Sequence, residues 1–178
     1  DITEIADLDR LADVIRQHGH GLDVVFANAG GGEFATLEEE TPEHLADTFN
    51  RNVGGTVFTV QKMLPPLLNE GASIVLAGST AASRGVPSFG AYAASKAAIR
   101  SFGRTWAAEL VGRKKIRVNT IVPGGPIETP GLKGGWLPVD STKLCSTVRL
   151  RQCRWAGSVI PMKSLPSWCF SPPTRAAS

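Results

Sequence analysis

The sequence predicts an open α/β fold built on a parallel sheet. Three observations carry that reading: short apolar runs at 22–27, 73–78 and 116–121, stretches of helical period between them, and chemistry-bearing residues just after the runs. Strands alternating with helices imply right-handed crossovers, hence parallel strands with helices on both faces. In such sheets ligands sit beyond the carboxyl ends of the strands, so the residues after Ala27, Gly78 and Ile121 are the informative ones.

Leu8, Leu11, Ala12 and Ile15 recur at helical spacing, and Gly19 and Gly21 stop the pattern before 22–27, read as a short buried strand. The loop Asn28-Ala29-Gly30-Gly31-Gly32 follows. Thr41-Pro42 predicts a helix start, because the hydroxyl caps free N–H groups and proline at the first helical position loses no hydrogen bond. An apolar stripe of Leu45, Phe49, Val53, Val57, Val60 and Leu64 then makes one long helix over about 42–64, ended by Pro65-Pro66. The run 73–78 is the second strand. A helix over about 89–111 carries Tyr92, Lys96, Ile99, Gly103, Trp106 and Leu110, and 116–121 is the third strand.

Composition narrows the function classes. With 178 residues, 42% hydrophobic and 20% charged, the chain fits one ordinary domain with an adequate core and excludes a disordered or collagen-like protein. No run approaches the roughly 20 apolar residues of a bilayer span, so no membrane is expected. Asp1-Ile2-Thr3-Glu4 has no signal-peptide pattern and no initiator methionine, so a fragment beginning mid-element is expected. The formal net charge of +3 divides unevenly: residues 1–140 carry −3 and residues 141–178 carry +6 with no acid. The basic character belongs to the tail, which removes the case for a nucleic-acid partner. Cys145, Cys153, Cys169, Trp136, Trp155 and Trp168 also lie beyond residue 135, marking a sharp compositional boundary.

The candidate site residues follow the strands. The glycines after Asn28-Ala29 admit close backbone approach by a ligand, or form a plain turn. Ser79 offers a hydroxyl to a substrate oxygen, or caps a turn. Tyr92, the chain's only tyrosine, and Lys96 stand one helical turn apart on one face. They serve one site, or a lysine snorkels beside a half-buried ring. Bringing a phenol from about 10 to about 7 takes roughly 4 kcal/mol, about what one ammonium at ~4 Å supplies at an effective dielectric of 20. Tyr92 would then exchange a proton with a carbonyl or hydroxyl oxygen. Asn52, in Asn50-Arg51-Asn52-Val53-Gly54-Gly55, sits where the helix is weak, which predicts a kink that frees a carbonyl for a water near Lys96, or simply close helix packing.

Together these residues resemble the classical branch of the short-chain dehydrogenase/reductase family over about residues 1–132. Asn-Ala-Gly at 28–30, Asn52, Gly78-Ser79, Tyr92-Ala93-Ala94-Ser95-Lys96, and Arg117-Val118-Asn119 leading to Pro123-Gly124 match its pattern in order. The resemblance implies a Rossmann-like doubly wound sheet binding NAD or NADP, incomplete here, and hydride transfer to or from a small ketone or secondary alcohol. Tyr92 is the implied general acid/base and Ser79 orients the reacting oxygen. Lys96 would lower the Tyr92 pKa and hold the nicotinamide ribose, while Asn52 would hold a water of a proton relay. Asp1 and Ile2 resemble the pair that contacts adenine, and Asn28, Ala29, Gly30, Pro123, Gly124, Ile127 and Thr129 would line the cofactor. A homodimer or homotetramer through the two long helices, and a cytoplasmic location, follow from family habit. No metal is implied. The alternatives are an extended-type sugar epimerase or dehydratase and a noncatalytic dinucleotide-binding or interaction module.

Three departures from the family pattern are visible. The glycine-rich phosphate loop that should precede Asp1 is not in the sequence, so little or no activity is expected of this chain alone. The stretch 123–129 carries an additional glycine, which puts the role of Thr129 in doubt. Residues 141–178 show no helical stripe and no carboxylate, and poor order is expected of the tail, 133–178.

The genetic code offers a reason for the tail. Read from the third base of each codon, Trp155-Ala156 must give Gly, Met162-Lys163 must give Glu, Trp168-Cys169 must give Val, and Cys169-Phe170 must give Phe or Leu, all as the family pattern requires. We expect a reading-frame change between about Leu132 and Gln152, which makes the tail's cysteines and basic charge translation artefacts. Resequencing the DNA will show an inserted or deleted base in that interval. An intact frame, with a tail peptide found by mass spectrometry, excludes it.

Overall fold

The structure, a computed structural model, describes residues 1–123, and Asp1–Pro123 forms one compact unit. Helix α1 spans Ile5–His18 and ends at Gly19, whose φ of 75° lets its N–H turn back to the Arg16 carbonyl. Strand β1, Leu22–Ala27, follows. Helix α2, Pro42–Phe49, opens as predicted, with Thr41 Oγ1 accepting from the His44 N–H at 3.1 Å. It continues through a π-helical turn, Asn50–Gly54, into α3, Gly55–Met63. Strand β2 is Leu68–Ala77, a short 3₁₀ turn covers Thr80–Ser83, α4 runs Gly90–Lys114, and β3 is Arg117–Ile121.

The three strands are parallel in the order β1-β2-β3, an α/β arrangement of the expected class. Val25 pairs with Ile74 and Ile74 with Val118, which sets β2 at the centre. Helix α3 packs on β1 and β2, α4 on β2 and β3, and α1 on α3. Their buried residues Ala12, Val60, Met63, Ile99 and Leu110 join Val25, Ala27, Ile74, Leu76 and Val118 in one apolar cluster on one sheet face.

Two expectations are corrected. The run 22–27 is not buried throughout: its residues alternate, and Val24 and Phe26, on the face away from the cluster, are 59% and 52% exposed. Among the described residues, the helices therefore supply the core of one face. The second strand starts five residues earlier than its apolar run, because Leu68 pairs with Leu22 across a register shift that a polar stretch with Gly71 conceals.

Candidate active site

The strand ends bring the predicted residues together. β2 stops at Ala77, and the Gly78 N–H donates to the Ile121 carbonyl at 2.8 Å, joining the ends of β2 and β3. Ser79 Oγ accepts from the Ala81 N–H at 3.2 Å, so it does cap a turn. Its hydroxyl also acts on the Tyr92 phenol, favouring the ionised form. Lys96, one turn along α4, is only 6% exposed, and its Nζ donates to the Ala77 carbonyl at 3.0 Å. That ammonium lies 5.7 Å from the centre of the Tyr92 ring.

The electrostatics differ from the expectation of a phenol made acidic by its neighbour. Burial pushes the Tyr92 phenol above its ordinary 10.0, with the hydrogen bond from Ser79 pulling the other way. Burial also lowers the Lys96 ammonium from 10.5. The physical reason is that both groups leave water, which disfavours the charged form of each. A phenol so placed keeps its proton at neutral pH and is ready to give it to a developing oxyanion.

The weak point predicted around Asn52 is the π-helical turn itself, and its consequence is a side-chain arrangement. Asn52 is fully buried; its Oδ1 accepts from the Gly31 N–H at 2.7 Å and its Nδ2 donates to Ser95 Oγ at 2.9 Å. Ser95 Oγ in turn donates to the Tyr92 carbonyl at 2.7 Å. The glycine loop lies directly on this network: a Cβ at Gly30 would stand 2.6 Å from Asn52 Oδ1, and one at Gly32 would stand 2.9 Å from the Tyr92 ring. Close packing is also present, since a Cβ on Gly55 would meet Ile2 Cδ1 at 2.5 Å.

An aromatic flank completes the surroundings of Tyr92. Phe89 meets its ring edge-on at 5.2 Å between centroids, and Phe34 packs on Phe89 at 4.4 Å. The Ala35 N–H donates to the Ser88 carbonyl at 3.1 Å, which holds the two loops bearing these rings together.

Of the remaining candidates, Asn28, Ala29 and Gly30 are exposed at the end of β1, open to a ligand. The Asp1 carboxylate accepts from the Thr3 N–H and Oγ1 at 2.9 and 3.0 Å, at the entry to α1. Pro123 is the last described residue; Gly124, Ile127, Thr129 and the tail lie outside the described residues. Among the described residues no cluster of three His, Cys, Asp or Glu side chains is placed to hold a metal. Sequence reasoning missed Gly31, Ser95, the Ala77 carbonyl, Phe34 and Phe89. Ser95 had a readable signal, lying three residues after Tyr92 and so on the same helix face.

Comparison with known proteins bears on family and fold. Residues 1–146 match a family model described as enoyl-(acyl carrier protein) reductase. The chain is 42% identical over 123 residues to oxidoreductase asL5 of Sarocladium schorii, covering 68% of this chain and 49% of that protein. It is 38% identical over 125 residues to the hydroxynaphthalene reductase-like protein Arp2 of Metarhizium acridum, covering 70% and 46%. The chain thus spans about half the length of the curated relatives it matches. Among solved structures, the Pseudomonas aeruginosa RhlG/NADP active-site complex superposes with a TM-score of 0.67 at 31% identity, covering 75% of this chain and 54% of that one.

Proposed function

The chain belongs to the short-chain dehydrogenase/reductase family, and from that premise we propose that it carries the catalytic part of an NAD(P)-dependent carbonyl reductase or alcohol dehydrogenase. The observation that carries the reading is the buried Lys96 ammonium, 5.7 Å from the centre of the Tyr92 ring and bonded to the Ala77 carbonyl at the carboxyl end of β2, two residues before Ser79. Tyr92 gives its proton to the carbonyl oxygen, and Ser79 hydrogen-bonds the same oxygen and holds it in line.

The residues present fit a nicotinamide cofactor. Lys96 has three ammonium protons, and among the described residues its hydrogen bond runs to the Ala77 carbonyl, which leaves donors for ribose hydroxyls. Asn28, Ala29 and Gly30 are exposed beside it, as a cofactor-lining loop requires. NAD(P)H, when bound, supplies the hydride. Asn52 holds the glycine loop in place, and a proton relay through its neighbourhood to Lys96 belongs to the same reading. The half-buried Phe34 and Phe89 favour a flat or apolar substrate body over a charged one. The partly exposed Leu45, Phe58 and Val111 on α2, α3 and α4 suit a homodimer or homotetramer through those helices. A cytoplasmic location completes the reading by family habit. No helix among the described residues is long and apolar enough to cross a membrane.

The test is to follow reduced-nicotinamide absorbance with the full-length gene product over a panel of aryl and alkyl ketones. Turnover, fastest with apolar ketones, is expected. Cofactor binding without turnover on any ketone would favour the noncatalytic module.

A further inference from the structure

We infer that Ser95 is a positioning residue for Tyr92, the link through which the π-helical turn and the glycine loop fix the tyrosine ring beside Lys96. The inference rests on the reading of Tyr92 as the proton donor.

A hydroxyl both donates and accepts, and Ser95 does both at once. It accepts from Asn52 Nδ2 at 2.9 Å and donates to the Tyr92 carbonyl at 2.7 Å, while Asn52 Oδ1 takes the Gly31 N–H at 2.7 Å. Three elements distant in sequence, the loop after β1, the π turn and the first turns of α4, are thereby joined by three consecutive bonds. Ser95 and Asn52 are fully buried, so water cannot replace a lost partner. A π-helical turn inserts an additional residue into the helix and so changes which side chains face inward. Here Asn52, the middle residue of that turn, faces Ser95. The chain of bonds ends on the backbone of the residue that carries the phenol.

Mere satisfaction of a buried polar group predicts that losing the Ser95 hydroxyl lowers stability and nothing else. Positioning predicts in addition that the phenol moves. Because the chain has a single tyrosine, tyrosinate absorbance during alkaline titration of the chain reports Tyr92 alone. The native midpoint should lie above that of the urea-unfolded chain, since burial raises it. Ser95→Ala should keep the native circular dichroism and move the midpoint toward the value of about 10 of a free tyrosine, as the ring leaves its buried seat. Ser95→Cys keeps the size with a weaker donor and should fall between. Thr105→Ala is the control: it removes a like bond, hydroxyl to the Ser101 carbonyl at 3.3 Å, on the exposed side of α4, and should leave the midpoint unmoved. A folded Ser95→Ala chain with the native midpoint overturns the inference. If that variant does not fold, an unmoved midpoint in Ser95→Cys overturns it equally. No turnover enters this readout, so a wrong assignment of Tyr92 as catalyst is distinguishable from a wrong assignment of Ser95.

Discussion

Tyr92→Phe in the full-length gene product is expected to lower kcat for ketone reduction by about 10²- to 10⁴-fold, the range that loss of a positioned proton donor produces. On the proposed reading, the phenol would supply a proton to the oxygen that gains negative charge as the carbonyl is reduced. The substitution keeps the ring, so the edge-on contact with Phe89 at 5.2 Å and the seat beside Gly32 remain. Cofactor affinity, which the proposed reading assigns to Lys96 and the glycine loop, should be little changed. Steady-state kinetics with a cofactor-binding titration check both statements, and unaltered kcat refutes the role. The pH dependence has a definite sign. Because burial holds the phenol protonated beyond pH 10.0, reduction should be level through neutrality and fall only as that group ionises. Alcohol oxidation needs the phenolate, so its rate should climb with pH over the same range.

That direction could not be read from the sequence. The spacing of Tyr92 and Lys96 placed two groups on one helix face, and local arithmetic favoured an acidified phenol. Desolvation depends on what the rest of the chain packs around the ring, and the Lys96 ammonium's partner is the Ala77 carbonyl, 19 residues away. What was legible had a local cause: Thr41-Pro42 at the start of α2, the Leu22–Ala27 strand, and the coincidence of chemistry-bearing residues with strand ends. Gly54 and Gly55 signalled a weakness in the helix, but the bonds of Asn52, inside the π turn, to Gly31 and Ser95 are contacts between distant segments. Ile2 against Gly55 is of the same kind, since each looks ordinary until the fold joins them.

The second large effect is on stability, and it bears on the site because β2 carries it. Ile74→Ala is expected to cost about 2–5 kcal/mol, the range for truncating a large aliphatic side chain in a packed core. Ile74 is fully buried at the centre of the sheet, paired to Val25 on one side and Val118 on the other. The cavity therefore opens among α3, α4 and all three strands, where few neighbours are free to collapse into it. A domain's whole stability is about 5–15 kcal/mol, so the variant should unfold at markedly lower urea, read by circular dichroism. Phe26→Ala on β1 removes a larger side chain yet should cost far less, because that ring is 52% exposed on the opposite face. Equal losses in the two variants would contradict a core gathered on one face. Three residues beyond Ile74 lies Ala77, whose carbonyl anchors Lys96, and Ser79 follows two residues later. Truncating Ile74 should therefore also loosen the support of Tyr92, and the tyrosinate midpoint should fall before the chain has globally unfolded.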